Sequence, residues 1–215
     1  MQPTDFTSVL VLVIAIGILP FVAMVITSYT KIVVVLGLVR NALGVQQVPP
    51  NMVLNGIAII VSCYILAPVG ETAMQNLRNS DSSSSGANAV IQAVDAAKEP
   101  FRQFLIKHTH ERERAFFLRS ASALWPKDVA AAAKPDDLII LAPSFTLTEL
   151  NDAFKIGFLL YVAFVIVDII LANVLMAMGL NQVNPTNVAI PFKLLLFVAA
   201  DGWSMLIHGL VLTYK

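Results

Sequence analysis

Long apolar runs of about the length of a membrane crossing are separated by one polar block. Residues Val9 to Ile26 (VLVLVIAIGILPFVAMVI) carry no charge and predict a helix able to cross a hydrocarbon core of about 30 Å. Pro20 removes a backbone donor inside that run and predicts a kink, tolerable in a membrane helix whose neighbours satisfy the freed carbonyl. After Lys31 comes a second run, Ile32 to Val39, so the two read either as one bent helix or as a span followed by an interfacial piece. The segment GVQQVPPN predicts a turn, because Pro49 and Pro50 cannot continue a hydrogen-bonded ladder. The next run, Met52 to Ala67, is short for a span and is expected to stop at Pro68.

From Glu71 the pattern turns polar, and SDSSSSG at 80–86 reads as a flexible connector. Beyond it Ile91, Val94, Phe101, Phe104, Leu105 and His108 recur at helical spacing, with Asp95, Lys98, Arg102 and Lys107 between them, as in an amphipathic helix. HERERAFFLRS reads as a solvated helix face. Thr146 followed by Glu149 is a capping signature and predicts a helix start there. That helix leads into the apolar stretch Ile156 to Leu180, broken only by Asp168 and Asn173. Gly179 and Pro185 bracket a polar turn, LNQVNP, and a last helix is expected from near Pro191 to Tyr214.

The fold class expected is therefore all-α: integral membrane helical hairpins, two plus two apolar helices, flanking a charged helical insert. The domains follow as an N-terminal apolar hairpin (1–70), a polar, mainly helical insert with its Ser-rich linker (71–144), and a C-terminal apolar hairpin (145–215).

Composition agrees, with 57% hydrophobic and 13% charged residues in 215 and a mean hydropathy of +0.76, outside the usual balance of a soluble domain. Of the 28 charged residues, 21 lie between Glu71 and Lys155, which leaves the flanks nearly charge-free. A formal net charge of zero gives no global field to recruit nucleic acid. Lys31 and Arg40 follow the first span, and the positive-inside tendency places that loop in the cytoplasm and the insert outside. Cys63, in an apolar run, is expected to be a buried small thiol. His108 and His110 are two apart and point to different sides of a helix, so no metal site is expected, and no cofactor motif is present.

Outside the insert the charged residues Lys31, Arg40, Asp168, Lys193 and Asp201 stand in or beside apolar helices, where ionisable groups are costly and usually functional. Polar groups so placed need partners that one chain of this size hardly supplies, which predicts an obligate oligomer. If the chain reverses near Pro185, Asp168 is level with about residue 202, so Asp168 and Asp201 are expected at similar height. They would share a proton or a cation, with Lys31 or Arg40 as candidates, or else face separate solvated surfaces. A proton-coupled transporter could use the same groups, although no internal repeat relates the two helix pairs. An enzyme is not expected: there is no GxSxG, no HExxH and no nucleophile beside a base.

Three stretches carry a resemblance: LVRNALGVQQVPPN at 38–51, FTLTELNDAFKIGF at 145–158 and DIILANVLMAMGLNQVNPTNVAIPFKLLLFVAADGW at 168–203. They resemble the R component of the bacterial type III secretion export apparatus, the family that includes the flagellar FliP and injectisome YscR proteins, on the injectisome side. The likeness implies an inner-membrane subunit of a homo-pentamer. Its partners would be the S and T components, other secretion-system membrane proteins, membrane lipid, and unfolded secreted proteins passing through the gated entrance. It also implies that no chemistry is catalysed and that the assembled hairpins rise largely above the bilayer plane. The family closes its pore with a methionine-rich loop; here Met176 and Met178 are present, but Leu180, Asn181, Gln182 and Val183 stand where relatives have methionines. The implied gate residues are Met176, Met178, Leu180, Asn181 and Gln182, with ordinary helix packing as the competing reading of the methionines.

Overall fold

The computed structural model describes residues 24–79, 87–180 and 182–215, together with Leu10, Val13, Ile14 and Gly17. Pro20 and most of the expected first span, the Ser-rich connector, Asn181 and the side chain of Ile91 lie outside the described residues. Regular structure among the described residues is all α-helical: α1 (Tyr29–Leu43), α2 (Asn51–Asn79), α3 (Ala87–His108), α4 (Glu111–Leu124), α5 (Lys127–Ala132), α6 (Leu138–Ala177), α7 (Pro185–Ala199) and α8 (Gly202–Leu212). Of these, α2 and α6 are long and apolar enough to cross a membrane, and α7 with α8, bent by 61°, make a third crossing if counted together.

Three boundaries differ from the pattern-based expectation. Pro68 does not end α2, which runs on to Asn79. The proline forfeits one backbone bond, and in apolar surroundings the remaining groups have no better partner than the helix itself. Thr146 does not cap a helix: α6 already begins at Leu138 and passes through Pro143, and the Thr146 hydroxyl donates back to the Ala142 carbonyl at 2.9 Å, a bond that competes with capping. The last helix starts at Pro185, capped by Asn184, and breaks at Ala200–Asp201, so Pro191 lies inside it.

The chain forms two compact units. The first comprises 1–30 and 62–149. Its core joins Phe104 and Leu105 of α3 to Ile140, Leu141 and Phe145 of α6, with the Phe104 and Phe145 rings 5.8 Å apart. Buried hydroxyls bond back to carbonyls four residues earlier, Thr109 just past α3 to that of Leu105 and Ser144 within α6 to that of Ile140. The His110 amide donates to Thr148 Oγ1 at 3.2 Å. Within HERERAFFLRS, Glu111, Arg112 and Arg119 are exposed, as a solvated face requires, while Glu113 and Arg114 are half-buried. Two side chains depart from expectation: Val94 is exposed, the buried side chains of α3 among the described residues being Phe104 and Leu105, and Cys63 is exposed, because apolar character does not fix which way a residue of a membrane helix faces.

The second unit comprises 31–61 and 150–215. Helix α1 buries Ile32, Val35, Leu36, Val39 and Leu43, the i, i+3, i+4, i+7 stripe of a one-sided helix. It lies so close to α6 that a Cβ on Gly157 would come within 2.3 Å of Leu38 Cδ1. Many large apolar side chains of α6 stay exposed, among them Phe158, Leu159, Ile169 and Ile170, as befits a surface whose neighbour is lipid or protein.

Candidate functional site

The C-terminal end of helix α6, a helix of 40 residues, carries a turn. There the chain stops helically by a Schellman motif: the Leu180 amide donates to the Leu175 carbonyl and the Gly179 amide to that of Met176, each at 3.0 Å, with Gly179 at φ +76°. Val183 bonds back to Leu180 at 3.1 Å. Asn184 then starts α7, its Oδ1 accepting from the Thr186 amide at 3.0 Å with Pro185 at the first helical position. The side chains of Met176, Met178, Leu180, Gln182 and Val183 are all exposed on this tip, a set of flexible thioethers and aliphatics around a tightly bonded backbone.

A second feature fixes the base of the hairpin. Lys193 of α7 is 5% exposed, and its Nζ donates to Asp168 Oδ2 of α6 at 2.6 Å and to the Ala42 carbonyl at 3.1 Å. Ala42 lies in the last turn of α1, where carbonyls lack intrahelical partners and a cation is favoured. One ammonium thus ties three helices. Asp168 Oδ1 is buried and has no hydrogen-bond partner among the described residues. Near this tie, Gly44 at φ +78° turns the chain out of α1 against Ile190 of α7. Arg40 Nη1 donates to the Pro49 carbonyl at 3.1 Å and to Asn51 Oδ1 at 2.7 Å, holding the GVQQVPPN turn closed.

Of the charged residues singled out in the apolar helices, the structure therefore joins Asp168 and Lys193. The cation beside Asp168 is neither Lys31 nor Arg40: Lys31 is buried with Nζ 4.2 Å from the centroid of the Tyr214 ring. Nor do Asp168 and Asp201 share a partner. Asp201 is exposed at the α7–α8 break, left-handed at φ 49°, and has no ion pair or side-chain hydrogen bond among the described residues. The partner level with Asp168 is Lys193, because α6 already ends at the Gly179 turn, several residues before Pro185. Sequence reasoning does not reach the Ala42 carbonyl, a backbone acceptor that leaves no signal, and the capping signature at Glu149 gives no sign of that side chain's complete burial. The break at 201 did have a signal, since Asp-Gly is a turn dipeptide.

Apolar helices of membrane-crossing length, one tied hairpin and an exposed turn at its tip define an integral membrane assembly component. The chain belongs to the FliP family, whose model matches residues 12–210, and so to the R components of the type III secretion export apparatus. It is 65% identical to "Hypersensitivity response secretion protein HrcR" of Ralstonia nicotianae, over the whole of both chains. It shares the same 65% with "Pathogenicity-related ORF2" of Xanthomonas campestris pv. glycines, again end to end. To "Yop proteins translocation protein R" of Yersinia pestis it is 43% identical, over 99% of this chain and 98% of that one.

Proposed function

We propose that this chain is a core subunit of the inner-membrane export gate of a type III secretion system, in which the turn from Met178 to Val183, with Met176, narrows the entrance pore for unfolded secreted proteins. The hairpin tip carries this reading: exposed Met176, Met178 and Leu180 surround a glycine-terminated, internally bonded turn at the end of a 40-residue helix. Irregular backbone at membrane depth is tolerated where protein buries it or a cavity receives it, and a ring of such tips supplies both. Compliant thioethers seal around a moving chain, while Asn181 and Gln182 bond between neighbouring turns without a fixed charge.

Assembly is supported by the exposed apolar surface of α6 and by Asp168 Oδ1, a buried acceptor that a neighbouring copy or the S and T components can supply with a donor. Five copies follow from the family likeness. The Ralstonia and Yersinia relatives are named as secretion and translocation proteins, which supports the same transport role. Lys31 and Arg40 favour a cytoplasmic first loop, with the 71–144 insert on the periplasmic side. Deleting Leu180 to Gln182 tests the gate directly. Cells carrying the assembled variant are expected to leak small ions, and unchanged permeability in a verified, fully assembled complex places the gate elsewhere.

A further inference from the structure

The end of α1 supports the hairpin just behind its tip. Leu38 lies against Gly157 of α6, and the Ala42 carbonyl takes the Lys193 ammonium that also holds Asp168, so α1 and α6 advance together toward the tip. Along α7 the order is reversed: Gly44, two residues beyond Ala42, meets Ile190, three residues before Lys193. The contact is close, since a Cβ on Gly44 would come within 3.0 Å of Ile190 Cγ1. Ile190 follows Pro185, the first residue of α7, by five residues, about 7.5 Å of helix. Gly44 thus seats the first turns of α7, to which the tip is joined through Asn184.

The turn that carries this seat has little of its own to fix its shape. Gly44 leaves α1 at φ +78° and Gln47 turns left-handed at φ 62°, a conformation that side-chain-bearing residues rarely adopt. Val45, Gln46, Gln47 and Val48 make no hydrogen bond among the described residues. Arg40, in the last turn of α1, spans the turn instead: its Nη1 donates to the Pro49 carbonyl and to the side chain of Asn51, the first residue of α2. One nitrogen with two donors thereby joins the end of α1 to the start of α2. We propose that Arg40 is a positioning residue for the export tip: by closing the 44–50 turn onto Asn51 it keeps Gly44 seated on Ile190 and so fixes the first turns of α7. The inference rests on the tip being the gate.

Arg40→Gln and Asn51→Ala are compared in the full assembled complex, beside the deletion of Leu180 to Gln182. Each single substitution is expected to raise the ion leak severalfold at unchanged assembly. Asn51→Asp, which keeps the acceptor, is expected to stay tight, and the double variant should leak no more than Arg40→Gln alone, because both residues serve one clamp. A leak with Arg40→Gln that Asn51→Ala does not reproduce makes the arginine act through its charge and overturns the proposal, as do effects that multiply in the double variant. Spin labels at exposed Phe158 and Val183, in a Cys63→Ser background diluted with unlabelled chains, read the position directly: a narrow distance distribution is expected, broadened by Arg40→Gln. If the deletion leaks and neither substitution does, the positioning role fails while the gate reading stands. If the deletion does not leak, the gate reading fails and the spin labels decide alone, broadening supporting the positioning role and an unchanged distribution overturning it. Should Arg40→Gln not assemble, Asn51→Ala carries the same readouts.

Discussion

The two units each hold an ion pair of the same chemistry in opposite surroundings. In the second unit Lys193 and Asp168 have side-chain exposures of 6% and 40%; in the first, Arg102 and Glu99 have 30% and 52%. Arg102 and Glu99 are three apart on one helix, and water can replace either of them. Lys193 reaches across two helix interfaces and has nowhere else to discharge its donors. A surface pair contributes little, while breaking a buried pair leaves a charge uncompensated. The apolar unit is thus sensitive at a few polar points, and the charged unit is tolerant at many.

That contrast can be broken most sharply at Lys193. Lys193→Met strands Asp168 and the Ala42 carbonyl, and is expected to lower stability by about 2–4 kcal/mol, read as a lower melting temperature of the purified complex and lost secretion. Adding Asp168→Asn should recover part of the loss, since the stranded charge goes. A double variant no better than the single one contradicts the pairing. Next comes Gly157→Ala, whose new methyl lands 2.3 Å from Leu38 Cδ1; overpacking between α1 and α6 is expected to cost about 1–3 kcal/mol by thermal melting. Gly179→Ala forces a side chain to φ +76° and should cost about 1 kcal/mol, with a measurable change in ion leak because the strain falls on the tip.

The smallest effect belongs to Glu99. Gln103 first, then Arg102, hold its carboxyl below the ordinary carboxylate value. A lowered value means that any contribution is complete above the ordinary range and fades only as pH falls through the lowered one. The gap in melting temperature between Glu99→Gln and the unaltered chain should therefore be small and constant from about pH 8 down to about pH 5. A clear difference there would make the insert more than a solvated surface.

Much of this organisation was legible before any coordinates. Apolar length gave the membrane helices, and the Pro49–Pro50 pair gave the turn ahead of α2, because both signals are local. The apolar run Ile32 to Val39 was visible too, but not the one-sided stripe that α1 buries, which reaches Leu43. What misled were prolines and caps: Pro68, Pro143 and Pro191 all lie within helices, since in apolar surroundings the helix has no solvent to release its backbone to. The charged residues were found, but their pairing was not. Asp168 meets Lys193 because of where the turn reverses, a few residues that no periodicity fixes, and the Ala42 carbonyl completes the site as backbone. The methionines at the tip were visible as letters; their shared exposure required the Schellman turn.

The central claim is that this tip meets the transported chain. In a Cys63→Ser background, a photo-crosslinking residue at Met178 is activated while a secreted substrate, fused to a domain that does not unfold, is stalled in transit. The account predicts crosslinks from position 178 to the substrate's unfolded segment, and none from an equivalent probe at exposed Leu124 in the charged unit. Crosslinks from 124 with none from 178, in complexes shown to hold stalled substrate, would contradict it.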